Sequence, residues 1–337
     1  MVLNLRVVSF NISGIGDLAR TAEKFQKSTK IGKIATQIVQ STVKDMTDYS
    51  VAMRDYYRFL MTPFLEKLIT EMRPDVFCLQ ELCKARFVNE SEHQIFVDIF
   101  QKHGYSLCWE GDTAVVYRNK RFDLVKKAAT TDPSEPAYYA DLHLKRENRV
   151  VRFVSDHPSY SSGSESTSLT GNIKQINLDE INSPFMRLMQ KVKSLISSFF
   201  GGNKAAGPES MATAPELIIY GLDANATRVM DDKTKEWQPE RLQAFENAGF
   251  EANLEDNAPT LKYKVSQKVD HIYAKILSGG TLKMVHHIIK GLNDEGILDN
   301  PDVLPASDHL PLIYDITYSS EESFSSLIRV CFKSIFA

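Results

Sequence analysis

Cysteine pairs, long apolar runs and a large excess of either charge are all missing from this chain of 337 residues. The cysteines form no CxxC pair and no disulfide pattern, which predicts reduced thiols used for packing. No apolar run reaches the roughly 18 residues of a membrane-spanning helix. A net charge of −3 argues against a strongly basic nucleic-acid coat protein. The cysteines are Cys78, Cys83, Cys108 and Cys331.

The apolar residues occur in short runs bounded by turn residues, which predicts strands rather than long helices. These runs are Leu5–Phe10, Val76–Gln80, Thr113–Tyr117, Val150–Ser155, Leu217–Gly221, Val269–Ala274 and Leu312–Ile316. Helical spacing covers 56–72, 89–103 and 240–248, ended by Arg73-Pro74, Gly104 and Gly249. Mixed strands and helices of this kind predict an α/β protein.

Two regions do not follow this pattern of short strands and helices. The polar, helical-looking stretch over about 14–50 predicts an inserted hairpin or lid. Region 159–215 opens with six serines in 159–168, which is typical of a flexible linker, and ends in a Gly/Ala/Pro-rich stretch. We interpret both regions as insertions.

Two further segments have apolar residues at helical spacing with basic residues nearby: 185–200, inside the second insertion, and 324–336, in the tail 319–337. The favoured interpretation is packing against the protein's own core. The alternative is peripheral contact with a membrane.

Polar residues that can bind a metal ion or transfer a proton occur where predicted strands end or begin. They are Asn11, Glu81, His157, Asp223, Asn225, Asp270, Asp308 and His309. Each is weak evidence alone, but strands that share a core can bring their ends to one rim. Carboxylates, amides and imidazoles gathered there suit a divalent metal and general acid–base catalysis.

This ordered set resembles the endonuclease/exonuclease/phosphatase superfamily, and so does the strand Asp112-Thr113-Ala114-Val115-Val116-Tyr117-Arg118. The resemblance runs from about residue 3 to 317. It implies a catalytic domain over 1–318 with insertions at about 14–50 and 159–215, followed by the amphipathic tail 319–337. The implied fold is a four-layer α/β sandwich, with two mixed β-sheets packed face to face and flanked by helices.

The resemblance also implies a metal site and a substrate class. Glu81 would be the main ligand of Mg²⁺, with Mn²⁺ as the alternative ion, and Asn11 and Asp308 would lie close to the metal or its waters. The ion would neutralise charge on a phosphate in the transition state. A phosphoester substrate, in nucleic acid or in a phospholipid headgroup, is therefore expected.

The catalytic roles carried over by the resemblance belong to five residues. His309 would be the base or the cation that acts on the phosphate, and Asp270 would orient its ring. Asp223 would position the attacking water, and Asn225 would donate to the phosphoryl oxygens. His157 would donate to the phosphate or the leaving oxygen.

Two motifs depart from the family pattern. Gly221-Leu222-Asp223-Ala224-Asn225 has one residue more than the usual Gly-Asp-x-Asn. Ser155-Asp156-His157 stands where Asn-Thr-His is usual, so that Asp156 either pairs with His157 or is a bystander.

The leading hypothesis is a Mg²⁺-dependent phosphodiesterase or nuclease that uses metal-assisted in-line attack of water and a His-Asp pair. One alternative is a membrane-associated phosphoinositide phosphatase or sphingomyelinase-like enzyme, and another is a non-catalytic binding module. Because Met1 to Ser13 lacks the features of a signal peptide, we expect a cytoplasmic protein. Peripheral membrane association and secretion as a bacterial effector are the alternatives, and the sequence leaves the oligomeric state open.

Overall fold

The computed structural model describes residues 2–12, 61–82, 90–130, 137–158, 166–181, 214–226, 239–253, 260, 268–287 and 309–320. The segments predicted as a first insertion (14–50) and as amphipathic helices (185–200 and 324–336) lie outside these ranges, as does Asp308. None of the helices in the described ranges has the length and hydropathy needed to cross a bilayer.

Two mixed β-sheets form the centre of the described structure. Its strands are β1 (Val2–Asn11), β2 (Val76–Gln80), β3 (Tyr105–Glu110), β4 (Thr113–Arg118), β5 (Phe122–Ala129), β6 (Tyr138–Leu144), β7 (Arg149–Asp156), β8 (Leu217–Asp223), β9 (Asp270–Ile276), β10 (Thr281–His286) and β11 (Leu312–Ser319). The first sheet has the order β10-β11-β1-β2-β4-β3, and the second has the order β5-β6-β7-β8-β9. The seven predicted strands are all present.

Each sheet contains one parallel pair. In the first sheet β1 runs parallel to β2, and in the second β7 runs parallel to β8. Parallel neighbours end at the same edge, so Asn11 lies beside Gln80 and Asp156 beside Leu222. The other pairs are antiparallel, and β11 returns along β1 from Ser319, opposite Val2, to Leu312, opposite Ser9.

The helices cover the outer faces of the two sheets. They are α1 (Thr62–Lys67, continued by a π turn over Leu68–Met72), α2 (Glu90–Lys102), α3 (Ser166–Ile181) and α4 (Pro239–Asn247). Phe64 and Phe100 pack on the first sheet, and Ile173 and Phe245 pack on the second. A third apolar cluster fills the space between the sheets. The predicted four-layer sandwich is therefore confirmed.

Alternation along the strands decides which residues face this inner layer. In β1 the inner residues Leu5 and Val7 alternate with the outer residues Val8 and Phe10. In β8, Ile219 faces inward, whereas Tyr220 and Leu222 face outward. The same alternation continues to the strand ends and fixes the direction in which each polar residue there points.

Helix α3 was not predicted, because the serine-rich stretch 159–168 was interpreted as a linker. Its residues Leu169, Ile173 and Ile176 are buried against the second sheet. Four strands were also missed, namely β3, β5, β6 and β10. Residues 123–127 of β5 are exposed, and β10 alternates between exposed and half-buried residues, so neither carries a continuous apolar run.

The two sheets lie close together at Gly221. A Cβ atom built there would lie 2.6 Å from Cβ of Cys78 and 3.1 Å from Oγ of Ser9, both in the facing sheet. Beside this contact the buried amide of Gln80 donates across the interface to Oγ of Ser155 at 3.2 Å and to the carbonyl oxygen of Gly221 at 3.3 Å. Ser155 donates back to the carbonyl oxygen of Leu79 at 2.7 Å.

The substitution Gly221→Ala should therefore force the two sheets apart. We expect the free energy of unfolding to fall by about 1–3 kcal/mol, the usual range for overpacking a core, as measured by urea denaturation followed by circular dichroism. Gly171→Ala in α3 is the matched control, since its added Cβ meets no atom within 4 Å. The control should raise stability by up to about 1 kcal/mol. A Gly221→Ala variant as stable as the wild type would contradict the close approach.

Candidate active site

The polar residues predicted from the sequence meet at one edge of the sandwich. Asn11 ends β1, Glu81 follows β2, and Asp223 ends β8 directly opposite Asp270, the first residue of β9. His157 follows β7, and His309 lies just before β11. All the predicted site residues in the described ranges are brought together here.

Asn11 connects the carboxylates of the two sheets. Its Nδ2 atom donates to Oε1 of Glu81 at 3.2 Å and to Oδ2 of Asp223 at 3.0 Å. Asn11 and Asp223 are each only 1% exposed, so these hydrogen bonds are formed away from bulk water. The amide therefore holds one carboxylate from each sheet at a fixed separation.

Two site residues have left-handed backbone conformations, which are costly for residues other than glycine. They are Glu81, with φ of 52°, and Asn225, with φ of 48°. The N–H of Asn225 donates to Oδ1 of Asp223 at 2.9 Å, and its Nδ2 donates to the carbonyl oxygen of Pro158 at 3.2 Å. These two hydrogen bonds hold the turn after β8 in its left-handed conformation beside Asp223.

The extra residue between Gly221 and Asp223, the first departure from the family motif, is explained by alternation in β8. Since Leu222 faces the outer core, Gly221 and Asp223 both face inward, one at the sheet contact and the other at the site. The following turn is held by Arg241, which donates to the carbonyl oxygen of Ala224 at 3.2 Å. The extra residue therefore leaves Asp223 pointing into the site.

His309 and Asp270 form a buried pair. Nδ1 of His309 lies 2.9 Å from Oδ2 of Asp270, and its Nε2 lies 3.7 Å from Oδ2 of Asp223. Burial raises the pKa of Asp270, against the opposing effect of the His309 charge and hydrogen bond. Oγ1 of Thr260 accepts from the backbone N–H of Asp270 at 3.0 Å, which fixes the start of β9. The imidazole is therefore oriented by Asp270 and directed at Asp223.

His157 is paired with Asp112, a residue to which the sequence assigned no role. Nδ1 of His157 lies 3.0 Å from Oδ2 of Asp112, and its Nε2 lies 3.5 Å from Glu81 and 3.8 Å from Asp223. Burial acts to lower the pKa of His157, but Asp112, Asp223 and Glu81 outweigh it and raise the pKa to about 9. The ring is thus a cation at neutral pH.

The neighbouring Asp156 does not pair with the His157 ring, which decides the alternative left open by the sequence. Successive strand residues point to opposite faces, so Asp156 points to the outer face of the second sheet, where it accepts a hydrogen bond from Tyr220. Asp112 could have been found from the sequence, because it begins the strand that resembles the family and directly follows a glycine turn.

The donor atoms at this edge suit a divalent cation. The carboxylate of Glu81, with the adjoining Asn11, supplies the oxygen-rich surroundings that Mg²⁺ prefers. One atom from each of Asp223, Asp270 and His309 also lies within 4.8 Å of the others. Because Nδ1 of His309 contacts Asp270 and Mg²⁺ favours oxygen ligands, we interpret that trio as the acid–base group rather than the primary metal site.

The pKa of His157 offers a direct test of this geometry. In metal-free protein, an NMR titration of its imidazole should give a pKa well above the ordinary 6.5, near the value of about 9. Asp112→Asn should lower it, because the variant removes a hydrogen-bonded negative charge. The control is Asp123→Asn, which alters a distant carboxylate paired with Lys145. A wild-type pKa close to 6.5 would contradict the arrangement.

No protein-family model matches the sequence, and no curated protein matches it significantly. Solved structures do match the fold. An endonuclease/exonuclease/phosphatase family protein from Bacteroides thetaiotaomicron is 13% identical with a TM-score of 0.53, over 95% of this chain and 100% of that one. The human Nocturnin catalytic domain with bound sulfate is 13% identical with a TM-score of 0.50, over 95% and 97%.

A third similar structure is ANGEL2, described as a 2′,3′-cyclic phosphatase, in complex with adenosine-2′,3′-vanadate. It is 13% identical with a TM-score of 0.51, over 94% of this chain and 96% of that one. The likeness spans nearly the whole of each chain, although few residues are identical. The resemblance inferred from the sequence is thus confirmed at the level of architecture: this chain has the fold of the endonuclease/exonuclease/phosphatase superfamily.

Proposed function

We propose that the protein is a divalent-metal-dependent phosphoester hydrolase and that its substrate is a phosphodiester in nucleic acid. The observation that carries this proposal is the position of Asp223, whose Oδ2 lies within 4 Å of Nε2 of both His157 and His309. A carboxylate between two imidazoles, one of them fixed by Asp270 and the other by Asp112, suits water-mediated attack on a phosphate.

The carboxylate of Asp223 would orient the attacking water and accept its proton at Oδ2. His309, with Nδ1 held by Asp270, would donate from Nε2 to a phosphoryl oxygen. His157 is cationic at neutral pH and would donate from Nε2 to the phosphate or the leaving oxygen. Asn225 would add a neutral donor to the phosphoryl oxygens.

Glu81 would hold the divalent ion, with Asn11 beside it and Asp308 as the further residue proposed from the sequence. When bound, Mg²⁺ would neutralise negative charge on the phosphate and on the attacking and leaving oxygens of the hydrolysis. The hydrogen bond from Asn11 to Glu81 presents the carboxylate in a fixed orientation, which supports this assignment. Mn²⁺ has the same ligand preference and would be the alternative ion.

The choice of a nucleic-acid phosphodiester is supported by ANGEL2, which has the same fold and binds an adenosine derivative. The basic residues Arg118 and Arg121 offer no such support. Arg118 and Arg121 lie at the opposite end of the sandwich from the site, where Arg118 donates to the carbonyl oxygen of Arg73 and Arg121 pairs with Asp75 at 2.6 Å. The substrate would therefore be held mainly by the site itself rather than by a groove of these cations.

The substitution His309→Ala should abolish most hydrolysis while leaving the fold intact. We expect a loss of about 100-fold or more in kcat, because a positioned acid–base group contributes at least that much. The assay would measure Mg²⁺-dependent cleavage of single-stranded DNA, duplex DNA, poly(A) RNA, phosphoinositides and sphingomyelin. His143→Ala is the matched control, since His143 lies in β6 and contacts Asn148 outside the site.

The outcomes of this panel separate the proposals. Cleavage of a nucleic acid that is lost in His309→Ala but kept in His143→Ala would support the function and the residue. Cleavage of only a lipid headgroup would support the membrane enzyme predicted as an alternative. No cleavage of any substrate by the wild type would favour the binding module.

Glu81→Gln should weaken the response to metal. We expect at least about a tenfold higher Mg²⁺ concentration for half-maximal stabilisation, since the variant removes the charge of the main ligand. Thermal unfolding at increasing Mg²⁺ measures this without an enzyme assay, because an ion that binds only the folded state raises Tm. Glu66→Gln, which alters a carboxylate bound to Lys102, is the control. An unchanged Mg²⁺ response in Glu81→Gln would exclude Glu81 as the ligand.

A further inference from the structure

A cavity of about 390 Å³ opens at the end of the sandwich opposite the candidate active site. It lies where the π turn after α1, the end of α2 and the end of β4 meet. β4 follows Asp112, which binds His157 at the site, and ends at Arg118 in the cavity wall. About 20 Å of strand therefore separates the cavity from the site. The volume is typical of a small-molecule site, for which the range is about 300–1,000 Å³.

The cavity is lined by cations and, among the described residues, by no acid. Arg73, Arg118 and Lys120 contribute three positive charges, and His103 adds an imidazole. Neither Arg73 nor Lys120 has a carboxylate partner in the described part of the chain, and both are exposed. Cations gathered without a counter-charge repel one another, so an anion bound among them would be stabilised.

The carboxylates close to these cations are bound by other residues. Glu66 accepts a hydrogen bond from Lys102 at 2.6 Å and lies 3.2 Å from the ring of His103. Asp75 pairs with Arg121 at 2.6 Å. Neither acid lines the cavity. They therefore neutralise little of its positive charge.

Two helix C-termini oppose this charge, since the π turn ends at Met72 and α2 ends at Lys102. Each C-terminus is equivalent to about half a negative charge, and basic residues often occur there for that reason alone. The two ends together supply about one negative charge against the three cations. The cavity therefore keeps a positive surplus beyond what the helices require.

Arg118 is held in a fixed orientation. Its Nη2 donates to the carbonyl oxygens of Arg73 at 2.6 Å and Pro74 at 3.1 Å and to the hydroxyl of Tyr105 at 3.1 Å. Its Nη1 lies 4.0 Å from Asp75, and its guanidinium carbon lies 5.6 Å from the centre of the Tyr105 ring. A cation oriented in advance loses little conformational freedom when an anion binds. Arg118 thus gives the cavity a preformed positive wall.

Arg73 stands where glycine is usual. It follows the π turn with φ of 49° and ψ of 51°, the left-handed conformation in which many helices end. This conformation costs free energy for any residue with a side chain like that of arginine. π turns are also frequent at functional sites. A costly backbone beside a cavity whose described lining holds no acid points to a use for the Arg73 side chain.

We propose that this cavity is a second, non-catalytic site that binds the phosphate groups of a small polyanion, such as a diphosphate compound. Arg118 would provide the fixed guanidinium, which matches two phosphate oxygens, and Arg73 and Lys120 would fold onto the remaining oxygens. A small ligand is favoured over a nucleic-acid strand because the cations surround one bounded cavity, and the neighbouring Arg121 is already bound by Asp75. The proposal does not depend on the proposed function.

The test is a titration of the metal-free, full-length protein with inorganic pyrophosphate. NMR would record the imidazole signal of His103, which lines the cavity and is assigned by its loss in His103→Gln. We expect this signal to shift to saturation, while that of His143, which contacts Asn148 elsewhere, stays unchanged. The His103 shift should persist in His309→Ala, because the cavity is separate from the active site.

Two variants identify the cations that bind. Lys120→Gln and Arg73→Gly should each raise the pyrophosphate concentration at half-saturation by about tenfold, since each removes a charged hydrogen-bond donor. Lys283→Gln is the charge-matched control, because Lys283 is exposed in β10, at an edge of the first sheet away from β4. The Tm of Arg73→Gly should be no lower than that of the wild type, because glycine favours the left-handed backbone. Its loss of binding would then not reflect unfolding.

An unmoved His103 signal would overturn the proposal, as would an equal weakening of binding in Lys283→Gln. A shift confined to His157 would place the anion in the active site and overturn it too. A His103 shift caused by single-stranded DNA but not by pyrophosphate would exclude the small ligand. A protein that hydrolyses nothing, but whose His103 signal saturates with pyrophosphate and depends on Lys120, would contradict the proposed function and support the second site.

Discussion

The contact between the sheets at Gly221 is the constraint on which the site depends. Glycine allows β8 to lie against Cys78 and Ser9, and the Gln80 amide binds the two sheets beside that contact. The strand ends just beyond it are therefore brought close enough for Asn11, from one sheet, to donate to Asp223, from the other, at 3.0 Å. With wider spacing, the carboxylates of the two sheets would remain separate surface groups.

Most of the fold could be predicted because its central strands are buried on both faces. All five residues of β2 and all seven of β8 are buried, and such continuous apolar runs are readable from a sequence. Strands at or near a sheet edge, such as β5 and β10, have exposed residues and no such run. Helix α3 was missed for a different reason. Its Ser, Thr and Asn residues are typical of a linker, and its three buried apolar residues indicate a helix only once their packing against the second sheet is known.

The site was predictable to the extent that its residues follow readable strands. Asn11, Glu81, His157, Asp223, Asp270 and His309 all flank strands that the apolar pattern identifies. Their partners were harder to find. His157 pairs with Asp112, which lies in a turn 45 residues away, and not with the adjacent Asp156. This choice depends on strand alternation, so closeness in the sequence does not predict it. Likewise the contact between Asp156 and Tyr220 requires the parallel register of β7 and β8, which no local motif specifies.

The antiparallel pairing of β1 with β11 has a consequence for the synthesis of the chain. Val2, at the start of β1, pairs with Ser319, at the end of β11. His309 lies just before β11, the last described strand. A nascent chain emerging from the ribosome exposes Asn11 and Glu81 early, yet it lacks both this imidazole and the strand that completes the first sheet. The assembled site can therefore arise only after translation has passed β11, so chains truncated before that point, such as those released by a premature stop codon, would carry its carboxylates without the assembled site.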